Sequence, residues 1–284
     1  FEHPITAKTG QTDEIYLGLL QDHRLTALPL LDAAGSVSGL VTLDDLVVGS
    51  RLAVRAVVMA GGRGKRLNPL TENTPKPMLT VGERPLLERT IDRLCDAGIR
   101  RVNITTHYKP EKITEYFGDG EDRGMELNYV HETRPLGTAG ALGLIEAPDE
   151  PLLVINGDIL TDVDFQAMLA YHAEHEADMT VAVRQYDVQI PYGVVECEGT
   201  HITQLREKPT HNFFVNAGIY LLQPSVHALI DNGEQLDMTH LIQRLLDNGR
   251  PVVSFPVREY WLDIGQVADY ERAQEDIREG KLSR

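Results

Sequence analysis

The sequence predicts an α/β protein built on a doubly wound, mainly parallel sheet of the Rossmann-like kind. Three observations carry this. Residues 53–60, "AVRAVVMA", form a near-continuous apolar run, as expected of a strand covered on both faces. A glycine-rich turn, "GGRG" at 61–64, follows at once. Strand-like and amphipathic helical stretches then alternate as far as residue 177, the pattern of a parallel sheet with crossover helices.

Taken in order, residues 1–50 read as a separate α-β-β-α segment. "TDEIYLGLLQDHRL" predicts a helix with Thr12 as N-cap and apolar positions Ile15, Leu19 and Leu20. "TALPLLD" and "SVSGLVT", parted by "AAGS", predict a hairpin, and "LDDLVVG" a closing helix. A unit this short buries little surface on its own. It resembles a single CBS motif (cystathionine-β-synthase type), most of all in "GLVTLDDL". The resemblance puts Thr42 and Asp45 at ribose-contacting positions. One motif is half of the usual pair, which favours a packing or dimerisation element and a homo-oligomer formed through this segment.

From residue 53 to 284 the expectation is one larger domain. "PLLERTIDRLCDAG" predicts a helix stopped by Gly98, with Cys95 on its apolar face. "RVNITTH", "LNYVH" and "PLLVINGD" predict strands, with helices at "PEKITEYFG", "TAGALGLIEA" and "DFQAMLAYHAEHEA". Within the last of these, His172, Glu174, His175 and Glu176 read as a solvated face rather than a metal cluster, because carboxylates lie between the imidazoles. After "DMTVAVR" the texture changes to short strands and turns at "YGVVECEG", "HITQLREKP" and "FFVNAGIYLL", an antiparallel substrate-binding portion. Helices return at "DMTHLIQRLLDNG" and "GQVADYERAQEDIREG".

Composition narrows the function. A formal charge of −16 excludes a surface built to coat nucleic acid, so any anionic ligand must be held by a local basic site or through a metal. Two cysteines are too few for a disulfide framework and fit a reducing, cytoplasmic setting. No apolar run approaches the ~20 residues of a membrane span, and no signal peptide is legible. The chain opens on Phe1, which reads as a fragment or a trimmed chain.

The glycine-rich loop fits neither common phosphate motif. A Walker A loop needs a hydroxyl after Gly-Lys, where Arg66 stands, and a dinucleotide fingerprint needs a third glycine where Leu67 stands. The stretch Gly61-Gly62-Arg63-Gly64-Lys65-Arg66-Leu67, with Pro69-Leu70-Thr71 and Lys76-Pro77 beyond it, instead resembles the signature of sugar-1-phosphate nucleotidyltransferases. "LGTAGAL", "INGDIL", "YGVVE", "REKPT", "FVNAGIYLL" and "WLDIG" continue the resemblance, in the family's order, over roughly residues 53–280.

That resemblance implies transfer of a nucleotidyl group from an NTP to a sugar 1-phosphate, with pyrophosphate released and GTP and a hexose 1-phosphate as the expected substrates. A nucleotide-sensing module that no longer reacts is the other reading. The resemblance assigns Arg66 and Lys76 to the triphosphate and the transition state, and Asp158 and Asp263 to a Mg²⁺ ion bridging the phosphates. Gly61, Gly62 and Gly64 carry the NTP, with Gly137 and Thr138 near the base. Gly193, Glu207, Lys208 and Asn216 face the sugar 1-phosphate. The chemistry agrees: joining two anionic reactants needs fixed cations, and hard oxygen ligands suit Mg²⁺.

Overall fold

The computed structural model describes residues 4–42 and 52–282. The chain divides into two compact units, Phe1–Leu52 and Ala53–Arg284.

In the first unit, β1 (Ala7–Lys8), α1 (Asp13–Asp22), β2 (Ala27–Leu31) and β3 (Val37–Thr42) form a three-stranded sheet with a helix. β2 and β3 pair antiparallel as the expected hairpin. Asp32 fixes its turn by accepting from the Ala34 and Ser36 amides at 2.8 and 2.9 Å. β1, parallel to β2, was not legible in the sequence, because two paired residues carry no period. Thr12 does stand at the N-cap, but its hydroxyl makes no capping bond. Tyr16, Leu20 and Leu28 form the small core with Ala7. Asp45 and the expected closing helix "LDDLVVG" lie outside the described residues.

The second unit runs through β4 (Arg55–Met59), β5 (Thr80–Val81), β6 (Arg84–Pro85), α2 (Leu86–Asp96), β7 (Arg101–Thr106), α3 (Glu111–Phe117), β8 (Glu126–His131) and α4 (Gly137–Gly140). It continues with β9 (Leu152–Asn156), β10 (Ile159–Thr161), α5 (Phe165–Glu174), β11 (Met179–Gln189), β12 (Val194–Glu198), β13 (His201–Arg206) and β14 (Thr210–Leu222). It ends with α6 (Pro224–His227), α7 (Met238–Asp247), β15 (Val252–Pro256), β16 (Trp261–Asp263) and α8 (Val267–Arg278).

Seven strands form the main sheet in the order β15-β11-β14-β9-β4-β7-β8. β9, β4, β7 and β8 are mutually parallel, and β14 enters antiparallel to β9 and β11. The chain steps from β4 outward through β7 to β8, then returns to the other side of β4 as β9. The order therefore reverses between β4 and β9, where open sheets of this kind form a ligand crevice beyond the strand ends. The fold class is the one the sequence predicts: an α/β protein with a mixed, mostly parallel sheet.

Register explains the core. Val57 lies opposite Val154, Val154 opposite Tyr220, and Tyr220 opposite Val181. All four are buried in one apolar cluster that α7 closes with Met238, Leu241 and Leu245. A second cluster packs Leu67, Leu86, Leu160, Leu262 and Ile264 together with Ala273. α2 ends as expected, at a left-handed Gly98 (φ +88°) whose amide donates to the Cys95 carbonyl at 2.9 Å.

Two sequence expectations need correction. "TAGALGLIEA" is not one helix: α4 passes into a 3₁₀ turn at Ala141–Leu144, and the chain is extended at Ile145. Nor does His172 share a solvated face with His175. His172 is 1% exposed, with Nδ1 2.7 Å from the Thr180 hydroxyl and Nε2 3.0 Å from the Gln223 amide, while His175 is exposed.

Candidate active site

The loop after β4 is shaped by what cannot be placed there. A side chain at Gly61 would strike the Glu132 carboxylate, with Oε1 2.6 Å from the Cβ position. Gly64 is left-handed (φ +62°) and packs against Lys76 and Thr71, each 3.0 Å from where its Cβ would be. Thr71, buried, donates its hydroxyl to the Gly64 carbonyl at 2.8 Å and so closes the loop. Leu67 sinks into the core while Lys65 and Arg66, on the same 3₁₀ turn, stay exposed. The sequence thus anchors the loop by an apolar residue and leaves its cations facing outward.

Lys76 begins a second 3₁₀ turn and is 8% exposed. Its Nζ donates to Asp158 Oδ2 at 2.5 Å. Asp158 follows β9 through Gly157, which packs so closely on β4 that a Cβ would lie 2.7 Å from the Met59 carbonyl. β10 then pairs antiparallel with β16, setting Ile159 opposite Asp263, and the Ile264 amide donates to the Asp158 carbonyl at 3.0 Å. This two-stranded ribbon brings together carboxylates over a hundred positions apart in sequence.

Burial, then the charge of Asp158, raises the Asp263 pKa, against the opposing pull of Lys76 and Arg66. A buried carboxylate whose charge a second carboxylate disfavours, beside a phosphate loop, suits a divalent cation. Among the described residues no cluster of three or more His, Cys, Asp or Glu side chains is placed to hold one.

A crevice of about 260 Å³ opens at the switch point. Gly61, Gly62, Gly137, Thr138 and Asp158 line it, so five of the expected residues meet there. Gly137 is left-handed (φ +83°) and pressed against Leu236 and Asp237. The Thr138 hydroxyl accepts from the Met238 amide at 2.9 Å, so it caps α7 as well as lining the crevice.

The crevice also holds residues that the sequence reading missed. Glu132 is 6% exposed, and its Oε2 accepts from the Leu136 amide at 3.0 Å. His107 Nδ1 lies 2.8 Å from the Glu132 carbonyl oxygen. Both follow the C-terminal ends of parallel strands, β7 and β8, and that position was the signal available in the sequence.

The remaining expected residues occupy the antiparallel part. Gly193 lies against Glu207, whose Oε2 is 3.0 Å from its Cβ position. Lys208 is exposed and left-handed (φ +44°) in the turn between β13 and β14. Asn216 Oδ1 accepts from the Gly218 amide at 2.9 Å, and its side chain also bonds Tyr220, whose hydroxyl burial pushes up to about 12. Among the described residues, no hydrogen bond or ion pair joins Glu207 or Lys208 to the Asp158–Asp263 end.

Residues 55–280 match the nucleotidyl transferase family. The chain is 33% identical over 230 residues to a mannose-1-phosphate guanyltransferase of Yarrowia lipolytica, covering 76% of this chain and 62% of that protein. It is 34% identical over 224 residues to a mannose-1-phosphate guanylyltransferase catalytic subunit beta of Drosophila melanogaster, covering 76% and 60%. It is 32% identical over 236 residues to the mannose-1-phosphate guanylyltransferase of Mycobacterium tuberculosis, covering 80% and 65%. The chain therefore spans less than two thirds of each of these relatives. A Bacillus anthracis crystal structure, provisionally described as a glucose-1-phosphate thymidylyltransferase and complexed with sucrose, superposes with a TM-score of 0.66 at 25% identity, covering 80% of this chain and 96% of that one.

Proposed function

Since the chain belongs to the nucleotidyl transferase family, we propose that it is an enzyme that joins GTP to a hexose 1-phosphate, giving a GDP-sugar and pyrophosphate. The observation that carries this is Lys76, buried and bonded to Asp158, with Asp263 across the ribbon and the glycine loop alongside. A phosphate oxygen of the sugar 1-phosphate attacks the α-phosphorus in line. The bond from that phosphorus to the bridging oxygen breaks, and pyrophosphate leaves with the electron pair. Positioning and charge stabilisation supply most of such catalysis.

Arg66 and Lys76 bind the phosphates and oppose their developing charge. Asp158 and Asp263 would hold Mg²⁺, which supplies neutralisation of the phosphate oxygens when bound. Gly61 and Gly62 bring backbone amides close to the nucleotide, with Gly64 shaping the turn. Gly193, Glu207, Lys208 and Asn216 form the sugar-phosphate side. Residues 1–50, read as a partial CBS motif, serve as an accessory element outside this chemistry.

The guanine assignment draws on two supports. The three curated relatives carry guanylyltransferase names. Glu132 offers the crevice a carboxylate, and guanine alone presents two adjacent donors, N1–H and the 2-amino group, that one carboxylate can bind together. Mannose 1-phosphate is the first hexose to test, by the same relatives' names. No helix among the described residues is long and apolar enough to cross a membrane. A pyrophosphate-release screen of the common NTPs against hexose 1-phosphates should peak with GTP and mannose 1-phosphate. No release with any pair would favour the silent sensing module.

A further inference from the structure

The mouth of the glycine loop carries more positive charge than the roles above use. Arg63 stands exposed between Gly62 and Gly64, its guanidinium carbon 5.7 Å from the Tyr108 ring centroid. Lys109 Nζ lies 5.3 Å from the same centroid. Among the described residues Arg63, Lys65, Arg66, Lys109 and Lys112 enter no ion pair. Carboxylates are in surplus in this chain, and Arg93, Arg101, Arg123 and Arg250 all find one. Arg63 and Lys109, left without a carboxylate on one ring, repel each other, a cost that an anion beside them would offset.

The ring itself is fixed. Tyr108 donates its hydroxyl to the Glu72 carbonyl at 2.6 Å, and Lys109 Nζ reaches the same carbonyl at 3.1 Å. Lys112 Nζ donates to the Asn73 carbonyl at 2.6 Å. These bonds tie the turn after β7 to the part of the loop between Arg66 and Lys76. Lys109 and Lys112 are thereby partly spent on backbone, whereas Arg63 donates no hydrogen bond among the described residues. Arg63 is not among the residues that line the crevice shared by Gly61, Gly62 and Asp158. Arg63 therefore serves a part of the ligand away from the carboxylate pair.

We propose that Arg63, presented on the Tyr108 ring with Lys109 beside it, binds the terminal two phosphates of the triphosphate and retains them as the pyrophosphate leaving group. The proposal rests on the nucleotidyl-transfer reading above. Its chemistry is that of a planar, unspent guanidinium, which takes two phosphate oxygens at once. Charge accumulates on pyrophosphate as its bond to the α-phosphorus breaks, so a cation there acts most strongly late in the step.

Calorimetric titration of inorganic pyrophosphate and of GMP, each with magnesium, tests this without needing turnover. Arg63→Ala should weaken pyrophosphate binding about tenfold and leave GMP binding unchanged. Arg63→Lys should recover part of the loss. Tyr108→Leu should weaken pyrophosphate in the same direction, and Tyr108→Phe, which keeps the ring but loses its bond to the Glu72 carbonyl, should weaken it less. Unchanged pyrophosphate affinity in Arg63→Ala overturns the proposal, and so does equal weakening of GMP, which would report a damaged loop. A wild-type protein that binds pyrophosphate through Arg63 yet releases none from GTP and any hexose 1-phosphate would overturn the function proposed above and leave this anion site standing.

Discussion

At the scale of single residues, the Asp158–Asp263 pair makes the sharpest demand. Asp158→Asn and Asp263→Asn should each lower the transfer rate by at least ~100-fold, the size of a lost transition-state electrostatic contact. Excess chelator should abolish activity; full rates under chelation, or in either variant, would remove the metal assignment. Because burial and Asp158 raise the Asp263 pKa, Asp263 takes up a proton earlier on acidification than a free carboxyl would. As the pH falls toward the carboxylate range, activity should fall earlier than a free carboxyl would make it, and extra Mg²⁺ should restore it; an acid loss indifferent to metal would mean that another group titrates. At the base end, Glu132→Gln replaces one acceptor with a donor, a pattern that suits uracil or thymine better than guanine. Steady-state kinetics should show kcat/KM falling for GTP and rising for UTP or dTTP, and an unchanged preference would mean that Glu132 does not read the base. Arg66, Lys76, Asp158 and Asp263 were legible in the sequence because each sits in a motif of several residues. Glu132 was not, since "HETRP" shows a lone carboxylate and only the sheet order puts it beside Gly61.

Among the elements, α5 shows how packing can hide a polar anchor. His172 lies on the buried side of this helix, between Thr180 of β11 and Gln223, which follows β14. The Gln223 amide donates to Nε2, so the ring is neutral, with its proton on Nδ1 toward the Thr180 hydroxyl. Burial pushes the His172 pKa below its ordinary 6.5, with Asp178 pulling weakly the other way. The unfolded chain takes up this proton first, so the stabilising contribution is complete above about pH 6.5 and shrinks as the pH falls toward the folded value. The loss approaches about 1.4 kcal/mol per pH unit at most. Thermal unfolding across this range should show a steeper acid loss for the wild type than for His172→Gln, and parallel curves would relieve His172 of the role. The parallel strands and α2 could be read from periodicity and the Gly98 stop, but β10 and β16 could not. Each has three residues, and their pairing joins distant parts of the chain, which no local pattern records. His172 was misread for a related reason: a polar face is judged from composition, whereas burial is decided by the strands the helix meets.

For the molecule as a whole, the division at Leu52 and Ala53 separates two tasks that can be tested apart. Every residue assigned to the transfer site lies at or beyond Gly61, and the family match begins at residue 55. The second unit has its own apolar clusters and the complete seven-stranded sheet, so it should fold without residues 1–52. Deletion should therefore leave pyrophosphate release within a few-fold of the intact chain, a change too small to reflect a lost catalytic contact. The first unit is different in kind. Among the described residues its core is four buried side chains, and Val37 and Leu40 of its hairpin are 71% and 58% exposed. If it is half of a CBS pair, it completes itself with a second such motif, and its loss should change the oligomeric state measured by light scattering. Titration with ATP, ADP and AMP should show an adenosyl nucleotide binding only where two motifs meet, so binding should accompany the oligomer and be absent from the deletion. A truncated chain that folds, by circular dichroism, but has lost transfer altogether would show that residues 1–52 complete the active site, and the division of tasks would fail.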